Sequence, residues 1–158
     1  MFAATAKSSL HSPPQVAESS RTVESVKSAD ITAAIALARA TVGAADDLPA
    51  VFFRVRRLDR DAEYVLVQLG HPGEPGWLAA IDPAQDEVMT WAANPSGGST
   101  APTRSDSDRY RGEVEWVWRP SAHSRSPLYP ILRITTETGE MFVDLAGAVH
   151  DTLPNAHA

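Results

Sequence analysis

Cysteine is absent from this chain of 158 residues, and that excludes disulfides, thiolate metal ligands and a cysteine nucleophile. Long apolar runs are missing too, since no stretch approaches the roughly eighteen residues that a membrane-spanning helix requires. Positive charge is not in excess. Lys and Arg number 14 against 20 Asp and Glu, a net of −6. That balance argues against nucleic acid or an anionic membrane as the main partner, because both are gripped by basic surfaces that displace counterions. The amino-terminal MFAATAKSSLHSPPQ has one early Lys but no continuous apolar segment of signal-peptide length. The expectation is a soluble, cytoplasmic protein.

Signatures of catalysis are equally scarce. The five histidines His11, His71, His123, His150 and His157 form no His-x-x-x-His or His-Glu-x-x-His spacing. Ser121, Ser124 and Ser126 lie near His123 without a Gly-x-Ser-x-Gly elbow. Gly97-Gly98 runs into Ser and Thr without the Lys that binds phosphates. No cofactor is called for, and the chain is expected not to be an enzyme.

What is present is globular material. Hydrophobic residues make up 43% and charged residues 22%, ordinary values for a chain able to bury a core. The 12 prolines fall mostly outside the apolar runs, as turns and tails require. The most informative stretch, GWLAAIDPAQDEVMTWA from Gly76 to Ala92, reads as two strands around a tight turn. Pro83 presets φ for the second turn position, and Asp82 can cap the bend with its carboxylate.

From the start of the chain, Ser-, Ala-, Thr- and Pro-rich residues 1–28 read as a disordered tail. Asp30 is a plausible N-cap. Ile31, Ala34, Ile35, Ala38 and Val42 then fall on one helical face, with Gly43 as the stop. Residues 51–57 alternate, placing Val51, Phe53 and Val55 on one face and Phe52, Arg54 and Arg56 on the other. Residues 64–69 are nearly all apolar, and the polar 58–63 between them suits a hairpin loop. With the Trp77 and Glu87 strands this makes one helix and a four-stranded meander over 29–92. Residues 93–108 are a flexible linker by composition. A second small β unit occupies 109–153, with strands over 113–119, 128–136 and 140–145 and the chain end turning through 148–153. Residues 154–158 should fray. The fold class is therefore α+β, an N-terminal helix packed on a mostly antiparallel meandering sheet. The two units echo each other: Ile81-Asp82 and Val143-Asp144 both end a strand in Asp before a tight bend.

The run Asp30-Ile-Thr-Ala-Ala-Ile-Ala-Leu-Ala38, two strands, and the Ile81-Asp82-Pro83…Glu87-Val88 hairpin resemble the small PepSY-type domains and the related cystatin-like immunity modules. Those pair one helix with a curled antiparallel sheet. The usual Thr-Gly of their late turn is replaced here by Gln85-Asp86. The resemblance covers residues 29–92 and implies a non-catalytic module that inhibits, chaperones or docks on another protein. It transfers no catalytic residues.

Candidate chemistry has to be weighed against plainer readings. His71, His123 and Asp144 would suit zinc or iron if their loops converged, although surface histidines in turns are the default. Asp59, Asp61 and Glu63 alternate along one hairpin, but a polar tip offers neither a cleft nor a shifted pKa, so solvated turn residues are favoured. Arg54 and Arg56 share a face with Phe52 while Arg57 points away; such a row can grip an acidic protein surface or be a solvated strand face. Trp116 and Trp118 lie on one side of the 113–119 strand with Val114, where they are either core or binding anchors. Tyr129 and Arg119 add to the material beside them.

The function expected from these residues is a non-catalytic protein-binding or accessory subunit, a scaffold, inhibitor or chaperone-like partner. Its contact residues would be Trp116, Trp118, Arg119, Tyr129, Arg54 and Arg56. The alternatives are a small metal- or ligand-binding domain with an enzyme-like site and an oligomeric scaffold within a larger complex. The expected partner is another protein or a larger complex, with self-association into a homo-oligomer left open, and with no nucleic acid and no membrane span.

Overall fold

The computed structural model describes residues 27–98 and 112–153. The tail readings for 1–26 and 154–158 and the linker reading for 99–108 lie outside the described residues. One helix, α1 (Ser28–Val42), precedes β1 (Ala50–Arg57), β2 (Ala62–Leu69), β3 (Gly76–Asp82) and β4 (Glu87–Asn94). Then follow β5 (Glu113–Trp118), β6 (Ile131–Thr136), β7 (Gly139–Val143) and the two-residue β8 (Val149–His150). All eight strands lie in one sheet, ordered β4-β3-β2-β1-β5-β6-β7-β8. The class is α+β, and no described helix is long and apolar enough to cross a membrane.

The helix begins two residues before the expected cap. Lys27 is the N-cap, and Asp30, inside the first turn, accepts the Lys27 backbone N–H at 3.0 Å. A carboxylate there satisfies an otherwise orphaned donor and faces the positive end of the helix dipole. Gly43 closes the other end in the left-handed conformation, φ 67°. The expected apolar stripe is the one buried: Ile31, Ala34 and Ala38 pack with Val65, Val67, Leu69, Ala79 and Ile81. The alanines keep the helix close to the sheet.

The opposite face of β1–β3 holds a second cluster of Val55, Tyr64, Leu66, Leu78, Ala80, Trp118 and Leu128. Leu128 arrives on the loop between β5 and β6, where the residues before Ile131 are irregular rather than the expected strand. In the β5–β8 half, Leu132, Ile134 and Val143 form a cluster on that same face, with Trp116 packed against it. Val117, Ile131, Phe142 and Leu153 form another on the helix-bearing face.

Every strand pair is antiparallel except β1 with β5, which run parallel and meet through only two residue pairs, Arg56 with Val117 and Arg57 with Trp118. The backbone N–H of Leu58 adds one bond to the Trp118 carbonyl at 2.9 Å. This short parallel seam is the only described strand pairing between the two four-stranded halves. It decides what the molecule exposes.

Candidate functional site

Trp118 sits at the seam and belongs to the core, at 5% exposure. Its ring meets Tyr64 edge-on, with centroids 6.2 Å apart and planes at 89°. The Arg57 guanidinium lies over the indole at 5.3 Å, a cation–π arrangement. Asp59 holds that guanidinium in place through Arg57 Nε, at 2.9 Å, and through Nη2. The shared hydrogen bond is the chief reason Arg57 is raised and Asp59 lowered from their ordinary pKa values, although partial burial opposes both.

Tyr64 donates its hydroxyl to the Pro127 carbonyl at 2.6 Å, pinning the β5–β6 loop over the core. Burial pushes the Tyr64 pKa up, against a small opposing pull from Arg57, so the hydroxyl stays a neutral donor. Tyr64→Phe should therefore cost about 1–2 kcal/mol by stranding that carbonyl. Chemical denaturation of the two proteins measures it.

Two of the six expected contact residues, Trp118 and Arg119, are taken up in the fold. Trp118 is in the core, sealed by the loop that Leu128 carries, so it offers no ring to a partner. Arg119 donates to the Leu153 carbonyl and ties the start of the loop to the segment after β8. The other four keep some exposure. Trp116 is half-buried against Phe53, with centroids 6.2 Å apart in edge geometry. Tyr129 is 45% exposed on the loop. Arg54 is exposed and Arg56 half-buried, on the face that also carries Phe52.

The patch on β1 is larger than those residues alone. β1 is fourth in an order of eight strands, a central position in which both neighbours normally cover a strand. Because β5 joins only at Arg56 and Arg57, the half of β1 before them has no β5 partner among the described residues. Val51 is 51% and Phe52 42% exposed, on opposite faces of the strand. No protein-family model, curated protein or solved structure matches the chain. The surface therefore has to be read from its own chemistry. It offers apolar side chains on both faces of one strand, a stretch of β1 with no ladder pairing to β5 among the described residues, and Arg54 and Arg56 in line with Phe52.

A different cluster lies at the β7–β8 end. His123, Asp144 and His150 place one ligand atom each within 4.8 Å of one another. This corrects the trio His71, His123 and Asp144: His71 stays exposed in the β2–β3 loop, and His150 takes its place. The signal was present in Asp144-Leu-Ala-Gly-Ala-Val-His150, an Asp-initiated turn that folds the following strand back beside its start. Burial alone would raise Asp144, but hydrogen bonds from His150 and from the backbone amides of Ala148 and Ala146 outweigh it and hold the carboxyl below its ordinary range.

Proposed function

We propose that this protein is a non-catalytic binding subunit that takes up an extended, acidic segment of a partner protein along β1, beside the β1–β5 seam. The observation that carries the reading is the exposure of Val51 and Phe52 on a strand in the middle of the sheet order. Large apolar side chains left exposed on both faces of one strand suit a partner that contacts both faces at once, as an added strand does. A strand with a free backbone edge recognises an incoming strand through main-chain hydrogen bonds, while alternate side chains of that strand fall on the two faces. One set would meet Phe52 and Arg54; the other would meet Val51, Phe53 and Trp116. Arg56, half-buried in line with Phe52, supplies the charge preference, on a chain whose net charge is −6. The resemblance of residues 29–92 to PepSY-type and cystatin-like modules points the same way.

Phe52→Ser separates binding from folding better than a core substitution would, because Phe52 is 42% exposed and belongs to none of the buried clusters. The variant should melt close to the parent, yet bind its partner at least about tenfold more weakly, the loss of one binding anchor. Affinity capture from the native lysate supplies the partner, and titration with both proteins gives the ratio. Equal affinity of parent and variant would remove β1 from the interface.

A further inference from the structure

We infer that His123, Asp144 and His150 form a binding site for a divalent transition-metal ion of the zinc type, independent of the β1 surface. Each ligand is held by its own local structure. Asp144 spends one carboxylate oxygen, Oδ1, on the backbone amides of Ala146 and Ala148, both at 2.9 Å. The other, Oδ2, points at His150 Nε2, 2.9 Å away. With metal–nitrogen and metal–oxygen bonds of about 2.0–2.1 Å, neighbouring donors stand about 2.9–3.3 Å apart. Asp144 Oδ2 and His150 Nε2 already have the spacing of two adjacent ligands on one ion.

His123 approaches from a separate segment. Ser121 and Ser124 are both buried, and their backbones and hydroxyls bond across the turn: Ser121 N–H to the Ser124 carbonyl at 2.9 Å, and Ser124 N–H to Ser121 Oγ at 3.0 Å. That small turn lifts Ala122 and His123 out of the surface. The His123 ring then lies against His150, with centroids 3.7 Å apart and planes at 24°. The two rings and the Asp144 carboxylate thus each bring one ligand atom within 4.8 Å of the others. To share one ion, the exposed His123 ring rotates out of this stack so that its in-plane nitrogen faces the His150 and Asp144 donors.

Two imidazoles and one carboxylate select zinc, cobalt, nickel or copper over magnesium and calcium, which take oxygen ligands. Three protein donors leave a tetrahedral ion one position for water. The hydrogen-bonded carboxylate fits this role, since ligating groups are typically oriented by an outer partner. An ion here would join the β5–β6 loop to the β7–β8 hairpin.

The test is titration of the chelator-stripped full chain with Zn²⁺ by calorimetry, with Mg²⁺ for comparison and Co²⁺ absorption to report the donor set. One equivalent of Zn²⁺ should bind and Mg²⁺ should not. His123→Ala, at an exposed turn, should leave the metal-free melt unchanged and weaken Zn²⁺ by more than the about 10–100-fold that losing an outer partner costs. His150→Gln should do the same, and His71→Ala should change nothing. Absence of 1:1 binding, or unchanged affinity in either the His123 or the His150 variant, overturns the site.

Discussion

Trp118→Ala is expected to destabilise the fold by about 3–5 kcal/mol, the range for removing a buried aromatic side chain without refilling its volume. At this chain length that corresponds to a fall in Tm of roughly 6–20 °C. The ring has three neighbours to lose: Tyr64 at its edge, the Arg57 guanidinium over its face, and Leu128 from the covering loop. Its backbone also makes one of the two residue pairs between β1 and β5, so the cavity opens where the half-sheets are joined most thinly. Trp118→Phe should cost clearly less, because it keeps most of the apolar volume and removes an indole N–H that finds no acceptor among the described residues. Trp116→Ala, at a half-buried ring, should also cost less than Trp118→Ala. Thermal melts of the three variants check the order. Equal, small losses for Trp116→Ala and Trp118→Ala would place both rings at the surface.

Gly76→Ala should be nearly as damaging for the opposite reason. A Cβ at Gly76 would stand 2.1 Å from the Leu69 carbonyl oxygen, and 3.2 Å and 3.3 Å from the Leu69 carbonyl carbon and Gly70 Cα. These are backbone atoms at the end of the β2–β3 ladder, where Leu69 pairs with Trp77, and they cannot swing aside as a side chain would. Relief requires the strands to part at that end, with a cost toward the upper end of the roughly 1–3 kcal/mol typical of overpacking. Urea unfolding should show a lower midpoint with an unchanged slope. A neutral substitution would mean that β2 and β3 meet in another register.

Much of the fold was legible because local chemistry specifies it. The stripe Ile31, Ala34, Ala38 settles the helix and its buried face. Asp82 and Asp144 mark their bends: Asp82 accepts the amides of Ala84 and Gln85, and Asp144 those of Ala146 and Ala148. The echo between the two halves is thus shared turn chemistry. The helix cap was misplaced by three residues, Asp30 for Lys27, because an acidic side chain serves equally well at the cap and one turn in, and only the backbone geometry separates the two.

Contacts between distant segments were not legible. Trp116 and Trp118 have the same parity on one strand, and nothing in their spacing tells which is sealed. Leu128, on the loop pinned by Tyr64, makes the difference. The parallel β1–β5 seam joins residues some sixty positions apart and leaves no periodic trace, so the exposure of Val51 and Phe52 could not be foreseen from a strand that alternates like any other. His150 was overlooked as a ligand because β8 is only two residues long. The histidine faces Asp144 through a hairpin whose partner strand is too short to register as one.

The central claim is that a partner strand docks on β1 beside the seam, and hydrogen–deuterium exchange on the protein alone and in its captured complex tests it most directly. Complex formation should slow exchange in the amides of residues 50–55 and in the facing residues 113–116, while the β4 edge at 87–94 exchanges as before. Protection confined to the β4 edge, or no added protection in β1, would contradict it.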